Sequence, residues 1–273
     1  MKRIYDWDAK LSRRNYTAAD LRALKGQKKL TQTTANTEEE AAAARDAGID
    51  LIMGNAQNTS DVRKGAPDMF FTAALGLPDF PTESDILKAA FAAMKAGADS
   101  VYTARGPHIV ELLAREDIPV MCHLGLVPRK STWRGGLRAV GGTAEEALEL
   151  WQEFRRMEDA GAFSVEAEVI VAEVMSEISK RTSLVTSSLG SGGGADVIYL
   201  FQNDICGEQP ERPRHARVFG DIHSLNEQIK AERRSALAAF HTAANEGGFP
   251  AKKEVVGMKE REYRSFLDAI SKA

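Results

Sequence analysis

The sequence predicts an α/β chain folded as a single (β/α)8 barrel domain, and three observations carry that expectation. The length of 273 residues suits one such unit, which typically takes roughly 250 residues. Short apolar runs alternate with amphipathic helical stretches, the pattern of parallel strands joined by crossover helices. The phrase helix-Ala-Gly-strand recurs at Ala47-Gly48, Ala96-Gly97 and Ala160-Gly161, with each glycine able to supply the left-handed residue that ends a helix.

Taken in order, strands are expected at Lys29 to Ala35, Leu51 to Gly54, Phe70 to Leu75 and Ser100 to Ala104, then at Val120 to Leu124, Ser164 to Glu168, Leu184 to Leu189 and Val197 to Phe201. Their apolar residues do not alternate because strands of a parallel barrel are buried on both faces. Helices between them begin at Thr37-Glu38-Glu39-Glu40, Thr82-Glu83-Ser84-Asp85 and Thr143-Ala144-Glu145-Glu146. Each places a capping hydroxyl before acidic residues that favour the positive end of the helix dipole. A long amphipathic helix is expected from Leu225 to Phe249, ending at Gly247-Gly248-Phe249-Pro250. An N-terminal extension over about residues 1–20 and a charge-rich tail over 252–273, an oligomer contact or a mobile extension, complete the chain.

A net charge of -3 lacks the positive balance of nucleic-acid binders and of proteins that sit on anionic membranes. A small-molecule partner is expected instead. Cys122 and Cys206 are the two cysteines; too few for a disulfide framework and without metal-type spacing, they suit a reducing compartment. The segment Met1 to Arg14 is charged and polar, and no stretch reaches the roughly 18 apolar residues of a membrane span. Cytoplasmic localisation is the expectation.

Catalytic groups of such barrels sit at the carboxyl ends of strands. His123 ends the apolar run Pro119-Val120-Met121-Cys122 and is the first candidate; its alternative is a core histidine satisfied by a carbonyl. Glu168 ends the next strand among apolar neighbours, where burial would raise its pKa toward that of a general base. Its alternative is a solvated rim residue, and Glu166, on the same side of the strand, competes with it as the inward carboxylate. Asn55, Tyr102 and Arg105 also lie at strand ends and offer groups for an oxyanion, with Arg105 suited to gripping a carboxylate through two parallel bonds. A zinc-type site from Cys122, His123 and Glu168 has suitable ligand types, but adjacent residues of a strand point to opposite faces. No metal ligand is assigned from the residues. Gly190-Ser191-Gly192-Gly193-Gly194 reads either as a phosphate-cradling loop or as a flexible connector.

His123-Leu124-Gly125-Leu126, Pro128, Gly135-Gly136 and Arg138 together resemble a motif of the ketopantoate hydroxymethyltransferase family, whose barrels are akin to those of phosphoenolpyruvate mutase and isocitrate lyase. The likeness runs from about Leu21 to about Pro250, through Lys25 to Lys29, Ala47 to Asp50, Ala96 to Asp99, Ala160 to Phe163 and Asp204 to Gly207. It implies a carbon-carbon bond formed or broken beside the carbonyl of a 2-oxo acid, with 3-methyl-2-oxobutanoate as acceptor, 5,10-methylenetetrahydrofolate as co-substrate, and a homo-oligomer. It implies Glu168 as the base that enolises the acid, His123 as its catalytic companion, and a substrate-side place for Asp196. The family holds Mg2+ through carboxylates whose places here read Gly54-Asn55-Ala56, Ala73-Ala74-Leu75-Gly76 and Tyr102-Thr103-Ala104-Arg105. All three carboxylates are missing, so ordinary magnesium binding is not expected. The chain is therefore read as a divergent transferase of hydroxymethyl groups or a related aldolase or lyase; the alternatives are a lyase on a different oxo acid and a barrel kept for binding or assembly alone.

Overall fold

The computed structural model describes residues 1–272. By internal contacts the chain divides into two units, Met1–Gly220 and Asp221–Ala273.

The first unit opens with a hairpin of β1 (Lys2–Tyr5) and β2 (Leu11–Arg14), paired antiparallel. The short helix α1 (Ala18–Leu24) follows, started by a reciprocal capping box of Thr17 and Asp20. The barrel is then built from β3 (Leu30–Thr34), β4 (Leu51–Asn55), β5 (Phe70–Ala74), β6 (Ser100–Thr103), β7 (Val120–Gly125), β8 (Ser164–Glu168), β9 (Val185–Leu189) and β10 (Val197–Tyr199). All eight are parallel, and Val197 pairing with Leu30 closes the ring. The expected (β/α)8 barrel is thus the fold. Crossovers are α2 (Glu38–Asp46), α3 (Thr59–Gly65), α4 (Glu83–Lys95), α5 (Pro107–Ala114), α6 (Ala144–Asp159) and α7 (Ala172–Ser179). The expected hydroxyl caps are present, with Thr37, Thr82 and Thr143 each accepting from the amide three residues on.

Strand alternation divides the apolar side chains into two layers. Ile52, Phe71, Val101, Val120, Cys122 and Val165 belong to a buried cluster with helix residues such as Val62, Ile86, Leu113 and Phe154. Leu30, Leu51, Met53, Phe70, Met121 and Val185 form a second cluster filling the ring. Arg14 and Arg63 grip Asp99 at 2.7 and 2.5 Å, and the same carboxylate accepts from the Phe71 amide at the start of β5. This buried network lies at the amino-terminal end of the strands, the face that serves stability in such barrels.

Between β9 and β10 there is no crossover helix; the Gly190–Gly194 segment makes the connection. Gly190 has φ +74°, and a Cβ there would lie 2.7 Å from the His215 ring. Gly194 packs against Ser176 of α7, and Ser188 Oγ donates to the Gly192 carbonyl. The segment is a packed turn rather than a loose connector. After β10, α8 (Gln202–Cys206) follows.

The second unit consists of α9 (Ile222–Asn245) and α10 (Glu260–Ile270). The first lies close to the helix expected over Leu225 to Phe249. The second occupies the charge-rich tail, with Tyr263, Phe266, Leu267 and Ile270 at helical spacing.

Candidate active site

Register places the reacting groups. His123 pairs with Glu166 and Gly125 with Glu168 across β7 and β8, while Tyr102 of β6 pairs with Met121. Because Met121 belongs to the inner cluster, His123 and Gly125, two and four residues on, share its face. Glu166 and Glu168 likewise share one face of β8, and both line the same cavity as Tyr102 and His123. This cavity, about 460 Å3 in volume, opens at the carboxyl ends of the strands, and Asn55, Ala74, Arg129 and Tyr199 are among the other residues of its wall.

The groups form a chain of contacts. Tyr102 Oη lies 2.5 Å from His123 Nδ1. His123 Nε2 lies 3.1 Å from the Leu126 carbonyl, 3.2 Å from Glu168 Oε2 and 3.8 Å from Glu166 Oε1. The side chains of His123 and Glu166 are each 4% exposed and that of Glu168 is 11% exposed, so these charges interact in a poorly hydrated setting. Burial alone would lower the pKa of His123, but Glu166 and Glu168, with the Leu126 carbonyl, more than offset it and hold the imidazole above its ordinary value. Burial pushes the Glu166 carboxyl up to about 7, with attraction to His123 opposing and repulsion from Glu168 adding to the rise. Burial also raises Tyr102 well above the usual phenol range, helped by the two carboxylates. Tyr102 is therefore a neutral hydroxyl. When His123 is doubly protonated, both ring nitrogens donate, so Nδ1–H points at Tyr102 Oη and the phenolic proton is free to face the cavity.

Backbone strain marks the end of β8. Val169 has φ +49°, a conformation that is a genuine outlier for a β-branched residue. Its amide donates to Leu189 O at 2.9 Å, and its carbonyl accepts from Val140 N at 3.0 Å. The bend ends the strand directly after Glu168. Across from it, Gly125 has φ +90°, and a Cβ there would sit 2.3 Å from the Glu168 carbonyl oxygen. Only glycine lets β7 approach the backbone of Glu168 so closely.

The structure brings together Glu168, His123, Tyr102 and Asn55 among the residues expected from sequence. Arg105 lies elsewhere. Its guanidinium donates to the carbonyls of Leu77 and Phe80 at 2.8 and 2.5 Å, and it lines a neighbouring cavity. Asp196 requires a correction. It immediately precedes β10, at the amino-terminal end of the barrel, opposite the mouth. There its carboxylate pairs with Lys25 at 2.8 Å and accepts from the amides of Gly26 and Thr186 and the Thr186 hydroxyl. All its acceptor capacity is spent on joining α1 to β9, so a substrate-binding part for it is withdrawn. Two wall residues were missed from sequence, Tyr199 and Arg129, the latter an exposed cation with no ion-pair partner among the described residues. For Arg129, its place in the loop after β7 was the available signal.

Magnesium is tested by the donor set. Positions 55 and 74, the last residues of β4 and β5, and position 104, just after β6, offer an amide and two methyl groups. Among the described residues, the group of three donors within 4.8 Å of one another is His123, Glu166 and Glu168. Magnesium takes oxygen ligands in a near-ideal octahedron, whereas one donor here is an imidazole whose two nitrogens already meet Tyr102 and Leu126. The residues present do not fit the magnesium site of the resembled family.

Comparison with known proteins agrees with this architecture. Residues 54–252 match the family model described as ketopantoate hydroxymethyltransferase. A 3-methyl-2-oxobutanoate hydroxymethyltransferase of Thermotoga sp. (strain RQ2) is 32% identical over 84% of this chain and 92% of its own length. One from Pyrococcus furiosus is 30% identical over 91% of this chain and 94% of its own. Among solved structures, a putative phosphonomutase from Burkholderia cenocepacia superposes with a TM-score of 0.52 at 12% identity, covering 82% of this chain and 99% of that one. A phosphonopyruvate hydrolase gives 0.51 at 11% identity, covering 94% and 97%; at such identities these two speak for the fold alone. With a family model spanning most of the barrel and relatives aligned over nearly their whole length, the chain belongs to the ketopantoate hydroxymethyltransferase family of enzymes.

Proposed function

We propose that this protein makes or breaks a carbon-carbon bond beside the carbonyl of a 2-oxo acid, through an enolate formed by Glu168. The observation that carries the reading is the contact of the Glu168 carboxylate with the His123–Tyr102 pair in one cavity at the strand ends. A base and an oxyanion donor are the two groups that enolisation needs.

In this reading Arg129 and Asn55 hold the substrate carboxylate at the rim. Glu168 removes the proton from the carbon next to the carbonyl, and the electron pair moves onto the carbonyl oxygen. The Tyr102 hydroxyl, oriented by His123, donates to that oxygen as charge develops. Water is largely kept from the reacting carbon by the buried walls of β7 and β8, which strengthens each of these interactions. The enolate carbon then bonds to the carbonyl carbon of a formaldehyde-level one-carbon donor, whose C=O π pair moves onto its own oxygen and takes up the proton held by Glu168, leaving a hydroxymethyl group. Two polar atoms of residues on this wall, Glu166 Oε2 and Tyr199 Oη, are buried without a hydrogen-bond partner. Buried polar groups are nearly always paired, and a bound oxo acid supplies oxygen atoms for them.

Hydroxymethyl transfer from 5,10-methylenetetrahydrofolate to 3-methyl-2-oxobutanoate is the form of this chemistry that the family membership suggests. The protein acts on small molecules, and none of its described helices is long and apolar enough to cross a membrane. The test is exchange of the C3 proton of 3-methyl-2-oxobutanoate in D2O, followed by proton NMR with no one-carbon donor present. Loss of the C3–H signal at an enzyme-dependent rate is expected. No exchange on this acid, on pyruvate or on 2-oxobutanoate would overturn the reading.

A further inference from the structure

His123, Ala104 and Val127 are shared by two cavities. The second, of about 420 Å3, lies between the start of α5, the loop after β7 and α6, and its charge is opposite in kind. Four basic residues line it, Arg105, Lys130, Arg134 and Arg156, against the single carboxylate of Glu153. Arg134 neutralises that carboxylate through contacts at 3.0 and 2.8 Å. The other three cations have no ion-pair partner among the described residues. Arg105 donates only to the Leu77 and Phe80 carbonyls, Lys130 donates to the Ala104 carbonyl, and Arg156 is exposed without an ion pair among the described residues. Burial and the like charge of Arg105 hold the Lys130 ammonium below its usual value. Concentrating like charge in a recess raises the energy of the empty site and the affinity for a counter-ion. Trp133, 89% exposed, stands on the same wall.

We infer that this cationic chamber binds a multiply charged anion, a phosphate ester or a polycarboxylate, as the charged part of the second substrate. Its wall at His123 puts that ligand within reach of the carbon activated in the first cavity. The identification as a second-substrate chamber rests on the enolate reading; the anion binding does not. Arg105 and Lys130 are the fixed donors, because each is anchored on a backbone carbonyl. Arg156, exposed on α6 and with no ion pair among the described residues, is the donor left free for the ligand. Two substrates meeting at one histidine is the arrangement a transfer needs and a hydrolysis does not.

The experiment titrates the full-length protein with pyrophosphate and separately with citrate, following tryptophan fluorescence, against sodium chloride at equal ionic strength. A saturable change is expected, absent in Trp133→Phe and weakened at least tenfold in Arg156→Glu. Saturation by pyrophosphate alone identifies a phosphate-bearing ligand, and saturation by citrate alone a polycarboxylate. Because Arg156 is exposed, its variant folds; a thermal melt verifies this. Absence of any change beyond the chloride control, or unchanged affinity in Arg156→Glu, overturns the inference. Glu168→Gln separates it from the enolate reading, since that variant is expected to lose C3 exchange and keep anion binding. Binding without exchange in the wild type sinks the enolate reading and with it the assignment of the ligand as second substrate, but not the anion site; exchange without binding sinks only the anionic chamber.

Discussion

Replacing Gly125 by alanine tests how the barrel holds its base. The added Cβ would meet the Glu168 carbonyl oxygen at 2.3 Å and the Ile170 Cγ1 at 2.7 Å. An ordinary contact begins near 3.4 Å, so the Glu168 backbone must retreat by about 1 Å. That carbonyl accepts from the Leu126 amide at 2.8 Å, a bond worth about 1 kcal/mol. Holding alanine at φ +90° adds on the order of 1–3 kcal/mol. The sum, roughly 2–4 kcal/mol, corresponds to a fall in Tm on the order of 4–16 °C for a barrel of this size. A displacement of about 1 Å in a reacting group lowers rates about 100-fold, so C3 exchange should fall by that factor. The control is Gly48→Ala, with φ +79° and nothing within 4 Å of the new Cβ. It should cost about 1 kcal/mol and leave exchange intact. If Gly125→Ala melts like the wild type and exchanges within twofold of it, the close approach of β7 to Glu168 is not what positions the base.

Tyr102→Phe should fold and bind the oxo acid but lose about 100- to 1000-fold in exchange, as removal of one oxyanion donor does; steady-state exchange at saturating acid checks this. Glu166 should make stability fall as pH rises. Its folded pKa of about 7 lies above the unfolded value near 4.5, so the folded state holds the extra proton between these limits. The stabilisation is full below pH 4.5 and is lost by pH 7, on the order of 3 kcal/mol. The raised pKa of His123 acts in the same direction above its unfolded value of 6.5. Subtracting the denaturation profile of Glu166→Gln from that of the wild type isolates the carboxyl, and a difference that grows with pH in the opposite sense would contradict its burial as the acid. Chelation with EDTA should change neither Tm nor exchange, because Asn55, Ala74 and Ala104 replace the family's ligands; a chelator-dependent loss, restored by magnesium, would contradict this.

All eight barrel strands were legible, from apolar runs such as Phe70–Ala74 and Val120–Gly125 and from the regular spacing set by capping threonines and Ala-Gly, which also located the mostly polar β3 and β9. The hairpin of β1 and β2 was not, because Lys2–Tyr5 and Leu11–Arg14 are largely exposed and so lack a clear apolar face. Glu168 and His123 were legible from their place at strand ends. Period two also puts Glu166 beside Glu168, but only the pairing of His123 with Glu166 reveals that the pair faces one imidazole. Asp196 was misplaced although the signal existed: a residue just before a parallel strand belongs to the end opposite the mouth. Arg105 illustrates the reverse limit. Its position after β6 suits substrate binding, yet the carbonyls of Leu77 and Phe80 capture its guanidinium, a contact between residues whose nearness no local pattern encodes. Arg129 was passed over because a cation in a loop carries no periodicity.

The most direct measurement compares C3 exchange by Glu168→Gln and Glu166→Gln, both isosteric and both on β8. General-base catalysis contributes about 100- to 10,000-fold. We expect Glu168→Gln to lose at least 100-fold while Glu166→Gln stays within tenfold of the wild type. Exchange at the wild-type rate in Glu168→Gln, with the loss transferred to Glu166→Gln, would contradict the account and make the deeper carboxylate the base.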